Sequence, residues 1–358
     1  MAEPIHLVFV EEPEAHLHAQ AQQVFVKKAF EALCNNKLIE ENPWLSTQLV
    51  LSTHSNHVVN ELDLNCMRYF KRVIDVGEKI PVSKVVNLSS TFGTDDETKQ
   101  FVTRYIRLTH CDIFFSDAVV LVEGPAEKIL VPSFLVKAGL DSYYISVIEV
   151  NGRHAHSFRK LIEKIGIAAL IVTDIDATDT KVGEDGKEIH PSVITAKGNG
   201  YKTGNPSIKS WLSGKEQIDD LLALDEKEKL VNNVRIAFQT PVNVKWDKNK
   251  DELTEVCPYT FEDALIFTNL ELFRREGLKK MGAITTIANL LKHSNSANEL
   301  QNKIFKKLES KSGFQKADFA ISLLYKDDFV DLVAPVYIQE GLEWMKSYLD
   351  SNGNRNGE

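Results

Sequence analysis

The chain has 358 residues, 43% hydrophobic and 26% charged, which is enough for two domains with their own cores and outside the composition range of disordered proteins. A net charge of −9 leaves no chain-wide basic footprint, so a polyanion would have to be held by a local patch. Four scattered cysteines (Cys34, Cys66, Cys111, Cys257), no basic-then-apolar leader pattern and no apolar run near the ~20 residues of a membrane span read together as a cytoplasmic protein with buried free thiols and no membrane association.

In chain order, Ile5 to Val10 reads as a short strand, Ala19 to Leu38 as a helix and Gln48 to Ser52 as a second strand. Short strands with turns follow over Arg68 to Ile74 and Val82 to Leu88. The polar stretch Thr91 to Asp96 is turn-like, and a domain boundary falls within 91–116, taken at 112/113. A second series then opens with the apolar, β-branched run Ala118 to Val122. Pro125 starts a helix to Lys137, where its missing N–H costs nothing. Tyr144 to Val150 is the next strand, His156 to Ile165 the next helix and Ala168 to Val172 the third strand. This alternation implies a parallel sheet with right-handed crossovers. Residues 177–206 read as a long loop at the carboxyl edge of that sheet. Beyond about 260 the pattern is helical, ending in Ile338 to Leu349, with a disordered Asn/Gly tail at 352–358.

Two acidic clusters directly follow buried strands: Glu123-Gly-Pro-Ala-Glu127 and Asp174-Ile-Asp176. In an open α/β sheet the chemistry lies beyond the carboxyl ends of the strands, and the crossover rule can make these two ends neighbours. Gly124 allows a sharp backbone turn directly after Glu123. Either cluster alone is the ordinary composition of a turn or helix cap; together and in this order they suit hard divalent cations, which prefer oxygen ligands. His16/His18 and His154/His156 lack the partners of a zinc site.

The string Val122-Glu123-Gly-Pro-Ala-Glu127, followed by Thr173-Asp174-Ile-Asp176, resembles the Toprim signature of topoisomerases, primases and a group of nucleases. More closely, residues 118–345 resemble the OLD (overcoming lysogenization defect) nucleases, a family that includes the Gabija nucleases. The supporting strings are Glu149-Val-Asn-Gly152, Ala155-His-Ser-Phe158, Gly204-Asn-Pro-Ser-Ile-Lys-Ser-Trp211, Ala237-Phe-Gln-Thr-Pro241, Tyr259-Thr-Phe-Glu262-Asp263-Ala-Leu265 and Lys316-Ala-Asp-Phe-Ala320. The resemblance implies metal ligation by Glu262 as well as by Glu123, Glu127, Asp174 and Asp176. It also implies charge stabilisation near a scissile phosphate by Lys316. Glu127 departs from the pattern, since many relatives carry Asp there. On residue type alone, Glu262 is an exposed helical glutamate and Lys316 one solvated cation in the run Lys303, Lys306, Lys307, Lys311, Lys316, the best local basic patch for a phosphate backbone.

Upstream, Leu7-Val-Phe-Val-Glu11-Glu12-Pro-Glu14 resembles the Walker B and D-loop region of ABC-type ATPases, and Leu49-Val-Leu-Ser-Thr-His54 resembles their switch strand. That implies Glu11 at a Mg²⁺ position, Glu12 beside an attacking water and His54 at a γ-phosphate. No Gly-x-x-x-x-Gly-Lys-Ser/Thr loop occurs in the chain, so ATP is expected to bind only to a complete ATPase domain, with a missing N-terminal piece on a truncated or split protein.

The expected architecture is α/β: a partial ABC-type ATPase segment over 1–112, then a Toprim parallel-sheet domain with added helices over 113–358. The expected function is DNA phosphodiester hydrolysis with two Mg²⁺ or Mn²⁺ ions, with Glu123 also as proton acceptor and Lys316 as oxyanion partner. The resemblance implies anti-phage defence regulated by nucleotide, homo-oligomerisation through the ATPase part and a possible helicase-like partner. Two rival readings stand at this level: a non-catalytic ATPase-like assembly module, and a Toprim phosphotransferase or nuclease acting on RNA.

Overall fold

The computed structural model describes residues 5–34, 46–73, 80–91, 97–109, 111–152, 154–184, 186–247, 249–275, 282–310, 314–325 and 330–357. Residues 35–38 of the expected first helix, Ile74, Lys311 and most of the turn at 91–96 lie outside them. The chain divides into two compact units, 1–116 and 117–358.

In the first unit, strand β1 (Ile5–Glu11) leads to helix α1 (Ala19–Cys34) and to strand β2 (Ser46–Ser52), which pairs parallel to β1 with Glu11 opposite Ser52. Strands β3 (Arg68–Val73) and β4 (Val82–Asn87) form an antiparallel pair, and helix α2 spans Glu97–Thr109. Parallel sheets are ordinarily covered on both faces. Here Phe9 is 72% exposed, with Leu7 and Val50 also open to solvent. Cys66 is exposed, contrary to the expectation of buried thiols, whereas Cys111 and Cys257 are buried thiols outside any disulfide.

The second unit is built on strand β5 (Ala118–Val122), helix α3 (Pro125–Lys137), strand β6 (Ile145–Glu149), helix α4 (Arg159–Ile165) and strand β7 (Ala168–Val172). A hairpin of β8 (Leu230–Val231) and β9 (Val234–Ala237) completes a five-stranded sheet in the order β8-β9-β7-β5-β6, parallel except for β8. Because β6 lies on one side of β5 and β7 on the other, the strand order reverses at β5. This reversal opens a crevice at the carboxyl ends of β5 and β7. Val122 pairs with Val172, so Glu123 and Asp174 leave adjacent strand ends almost level with each other.

Every residue of β5 and β7 is buried, as expected of central parallel strands. Side chains alternate across the sheet. Val120, Val122, Leu170 and Val172 join a core with Leu130 and Phe134 of α3. The later elements β10 (Val242–Val244), β11 (Thr254–Val256) and helices α5 (Phe261–Thr268), α6 (Gly282–Lys292), α7 (Ala297–Glu309), α8 (Lys316–Leu324) and α9 (Val336–Gly357) contribute Val244, Val256, Leu265, Ile287, Ile304, Phe319 and Ile338 to the same core.

Two sequence expectations change. The stretch 177–206 is not featureless but carries short antiparallel pairs, Lys202–Thr203 against Ala177–Thr178 and Glu188–Ile189 against Lys181–Val182. The Asn/Gly tail continues α9 to Gly357 instead of leaving it, since a helix already fixed by packing adds each further residue without a new nucleation cost. No helix among the described residues is long and apolar enough to cross a membrane.

Helix α9 lies on β7 at Gly341, where an added Cβ would sit 2.6 Å from Leu170 Cδ1. Leu170 is fully buried in the central strand and has little room to move. Gly341→Val is therefore expected to cost about 1–3 kcal/mol through overpacking, read as a lowered urea midpoint; an unchanged midpoint would mean that α9 does not pack here.

Candidate metal centre

The strand ends of the second unit deliver their acids into one buried cluster. Glu123 follows β5 directly, and Glu127 sits in the first turn of α3, both buried. Glu123 Oε2 accepts from the Asp174 backbone N–H at 2.8 Å, which joins the two strand ends. Asp176 stands at φ 49°, a left-handed conformation uncommon for a residue with a side chain. It is held there by the Gly204 N–H, which donates to the Asp176 carbonyl at 2.7 Å.

Helix α5 supplies the fourth wall. Asp263 accepts from the backbone N–H groups of Tyr259 and Thr260, each at 2.7 Å, and closes a capping box with Thr260. This fixes the first turn so that the Phe261 N–H donates to Asp174 Oδ1 at 3.0 Å, while the Glu262 side chain is wholly buried. Lys316, the first residue of α8, places Nζ 3.0 Å from Glu262 Oε2. Glu262 is thus no exposed helical glutamate, and Lys316 is no solvated member of a lysine run. The cluster brings together Glu123, Glu127, Asp174, Asp176, Glu262 and Lys316.

Two amides that sequence reasoning did not single out organise the acids. Gln239, just past β9, donates from Nε2 to Asp174 Oδ1 at 2.6 Å and accepts the Ile175 N–H at 2.7 Å. Asn205 Nδ2 lies 2.8 Å from the Asp174 carbonyl, 2.9 Å from Thr173 Oγ1, and 3.2 Å from both Glu123 Oε1 and Asp176 Oδ2. Its Oδ1 meanwhile accepts from Ser207 N at 2.9 Å and caps the following helix. The Asn-Pro step at 205–206 is a helix-start signal, and it hid a second role for the same side chain.

Burial dominates the electrostatics. It raises Glu123 above the ordinary carboxylate range against the hydrogen bonds that favour its charge. Burial, then the nearby Glu262 charge, pushes Glu127 up to about 8. Asp174 lies well above its usual value through burial and the Glu123 charge. Burial also takes Asp263 up to about 7 despite its backbone donors. Burial alone would lower the Lys316 ammonium, but the carboxylates of Glu262, Asp174 and Glu127 hold it above its usual value.

Among the described residues, no three His, Cys, Asp or Glu groups already enclose a single cation position. The donor set nonetheless fits a hard divalent ion. Glu127 Oε2 and Glu262 Oε1 are buried oxygens with no hydrogen-bond donor. A Cβ on Gly124 would come within 3.3 Å of Glu127 Oε2, so glycine keeps that oxygen uncrowded. Buried, donorless carboxylate oxygens of this kind are costly unless a cation meets them.

In the first unit, Glu11 ends β1 and Glu12 follows at φ 41°. His54 Nε2 lies 3.2 Å from Glu12 Oε1, with both groups exposed. Glu14 Oε1 accepts from Thr53 Oγ1 at 2.7 Å and from His54 N at 2.6 Å. The ends of β1 and β2 thus bring Glu12 and His54 together.

Comparison with known proteins follows the same division. Residues 114–176 match the family described as "Overcoming lysogenization defect protein-like, TOPRIM domain", and residues 2–59 match "AAA ATPase domain". The chain is 28% identical over 360 residues to "Endonuclease GajA" of Bacillus cereus (strain HuB5-5), covering 97% of this chain and 49% of that protein. It is 23% identical over 257 residues to the protein of the same name from Bacillus cereus (strain VD045), covering 70% of this chain and 35% of that one. The chain therefore spans about half the length, or less, of these relatives. Among solved structures, the C-terminal region of the Burkholderia pseudomallei OLD protein matches with a TM-score of 0.36 and 18% identity, over 66% of this chain and 99% of that one. The corresponding Xanthomonas campestris pv. campestris region gives 0.37 and 19%, over 68% and 99%. The chain carries a Toprim segment of the OLD-like type and an AAA-type ATPase segment, the combination that its sequence motifs resemble.

Proposed function

We propose that the second unit is a divalent-metal-dependent endonuclease that hydrolyses DNA phosphodiesters, and that the first is the C-terminal part of an ATPase that regulates it. One observation carries the reading: five buried carboxylates and one lysine meet at the switch point of a parallel sheet, within and beyond a Toprim segment. Mg²⁺ or Mn²⁺, held by Glu123, Glu127, Asp174, Asp176 and Glu262, would supply Lewis-acid stabilisation of the phosphate oxygens. Glu123, whose carboxyl burial raises and so makes more basic, is suited to take the proton of an attacking water. Asn205 and Gln239 hold the ligating acids in place while remaining neutral. Lys316, its stem reaching the surface, meets charge developing on the phosphate. The fragmentary ATPase motif, without a phosphate-cradling loop, fits nucleotide binding only in a complete ATPase domain. An anti-phage role, oligomerisation through the ATPase part and a helicase-like partner are extensions of the same reading.

On supercoiled plasmid, the chain is expected to nick or cut with Mg²⁺ or Mn²⁺ and to stop with EDTA. Asp174→Ala should abolish cutting with the circular dichroism spectrum intact; a fully active variant would remove the Toprim reading, and cutting confined to RNA would move the substrate class.

Lys316 is separable from the lysines of α7. Lys316→Ala should keep DNA binding and lose about 10²–10³ in single-turnover rate, or roughly 3–4 kcal/mol. Lys306→Ala, at an exposed position where a lysine can meet only the phosphate backbone, should lose some affinity and keep its rate at saturating DNA. Equal modest losses in both would make Lys316 an ordinary phosphate contact.

Stability should follow Glu127. With a folded value of about 8 against 4.5 for the free group, the folded state keeps a proton that the unfolded chain releases. Metal-free stability therefore falls as pH rises across that window. Divalent ions need the ionised form, so their affinity rises over the same range. The increase in melting temperature produced by Mn²⁺ should accordingly be larger at about pH 8.5 than at about pH 6. Glu127→Gln should remove most of that difference, and a pH-independent Mn²⁺ effect would mean that Glu127 is not a ligand.

A further inference from the structure

The Lys316–Glu262 contact bears on how cations enter the cluster. Resting on the reading that this cluster binds divalent ions, we propose that Lys316 is a resident cation competing with one of the two ions for Glu262. The two ions then bind unequally, and a substrate phosphate that draws the lysine away promotes binding of the weaker one.

The cluster is chemically two-sided. On one side the acids are held by neutral donors: Asp174 Oδ1 by Gln239 Nε2 and the Phe261 N–H, Glu123 Oε2 by the Asp174 N–H, and Glu123 Oε1 and Asp176 Oδ2 by Asn205. These donors orient the carboxylates without neutralising them, so the negative charge remains for a cation to meet. On the other side, Glu127 Oε2 and Glu262 Oε1 have no donor, and the charge that faces them is Lys316. An ammonium and a divalent ion cannot both sit against the single buried Glu262 carboxylate, because +1 and +2 charges a few ångströms apart repel strongly at low dielectric. One must leave when the other arrives.

Lys316 is built to leave. Glu262 is fully buried, whereas the Lys316 side chain is 38% exposed, with a flexible four-carbon stem rooted in the first residue of α8. A rotation of that stem, without backbone movement, takes the ammonium from Glu262 towards an anionic oxygen at the surface. A phosphate placed there and an ion placed on Glu262 each remove the other's competitor, so their affinities rise together and reciprocally. The lysine that stabilises the reacting phosphate thereby also keeps the second ion out until a phosphate is present.

The test is calorimetric titration of Mn²⁺ into the full chain without DNA, at about pH 8, for wild type, Lys316→Met and Glu262→Gln. Wild type is expected to bind one ion tightly and a second at least about tenfold more weakly. Lys316→Met should tighten the weaker ion about tenfold or more and leave the tighter one within about twofold. Glu262→Gln should lose the weaker ion and keep the tighter one, which puts that ion on Glu262. Lys316→Gln, which also removes the ammonium, carries the same expectation as Lys316→Met if the methionine variant fails to fold. Unchanged affinities in Lys316→Met, or equal tightening of both ions, would overturn the competition while leaving the metal centre standing. Two ions of equal affinity in wild type would do the same. No Mn²⁺ bound by any of the three would remove the metal centre itself, and the competition with it.

Discussion

The constraint on which the second unit depends is the burial of like charge. Glu123, Glu127, Asp174, Asp176 and Glu262 are all under 9% exposed, within one crevice, and Lys316 is the cation paired into them. Two carboxylates a few ångströms apart repel by several kcal/mol even at an effective dielectric of about 20. Burial opposes the charged forms in the metal-free cluster and raises Glu123, Glu127 and Asp174. Charges of this density in a buried site are what bound divalent cations would resolve, and they explain why the surrounding fold is so heavily braced.

That bracing comes from ordinary fold elements. Strands β5 and β7 are buried throughout, so their shared register is fixed by packing and their ends meet level. The capping box at Thr260 and Asp263 aims the first turn of α5. The N-cap at Asn205 and the end of β9 at Gln239 each turn one amide into the cluster. Each device satisfies a backbone need and orients an acid in the same stroke. Local strain sits at the same place, with Asp176 held at positive φ by the Gly204 N–H.

Much of this was legible in the sequence because it rests on short-range pattern. Apolar runs followed at once or after one residue by an acid gave β5 and β7 to within a residue, and Pro125 marked the start of α3. What the pattern could not carry was lateral placement. Nothing local to Gln239 or Asn205 says that these amides face Asp174, since that depends on β9 pairing beside β7 and on the path of residues 177–204. Glu262 and Lys316 were legible only through resemblance. Residue type alone makes both solvent-facing, and tertiary packing buries one and pairs the other. The tail beyond 352 was misread because composition argues for disorder while the preceding helix simply continues. In the first unit, the meeting of Glu12 and His54 follows directly from parallel β1 and β2 ending in step.

The central claim is that these carboxylates are a divalent-cation centre. Diffraction from crystals grown with Mn²⁺ and measured at the manganese absorption edge tests it most directly. The account predicts anomalous density among Glu123, Asp174 and Asp176, and a second, weaker peak beside Glu127 and Glu262 with Lys316 turned away. Crystals soaked in millimolar Mn²⁺ at about pH 8 that show no anomalous density within the cluster, with Lys316 still against Glu262, would contradict it.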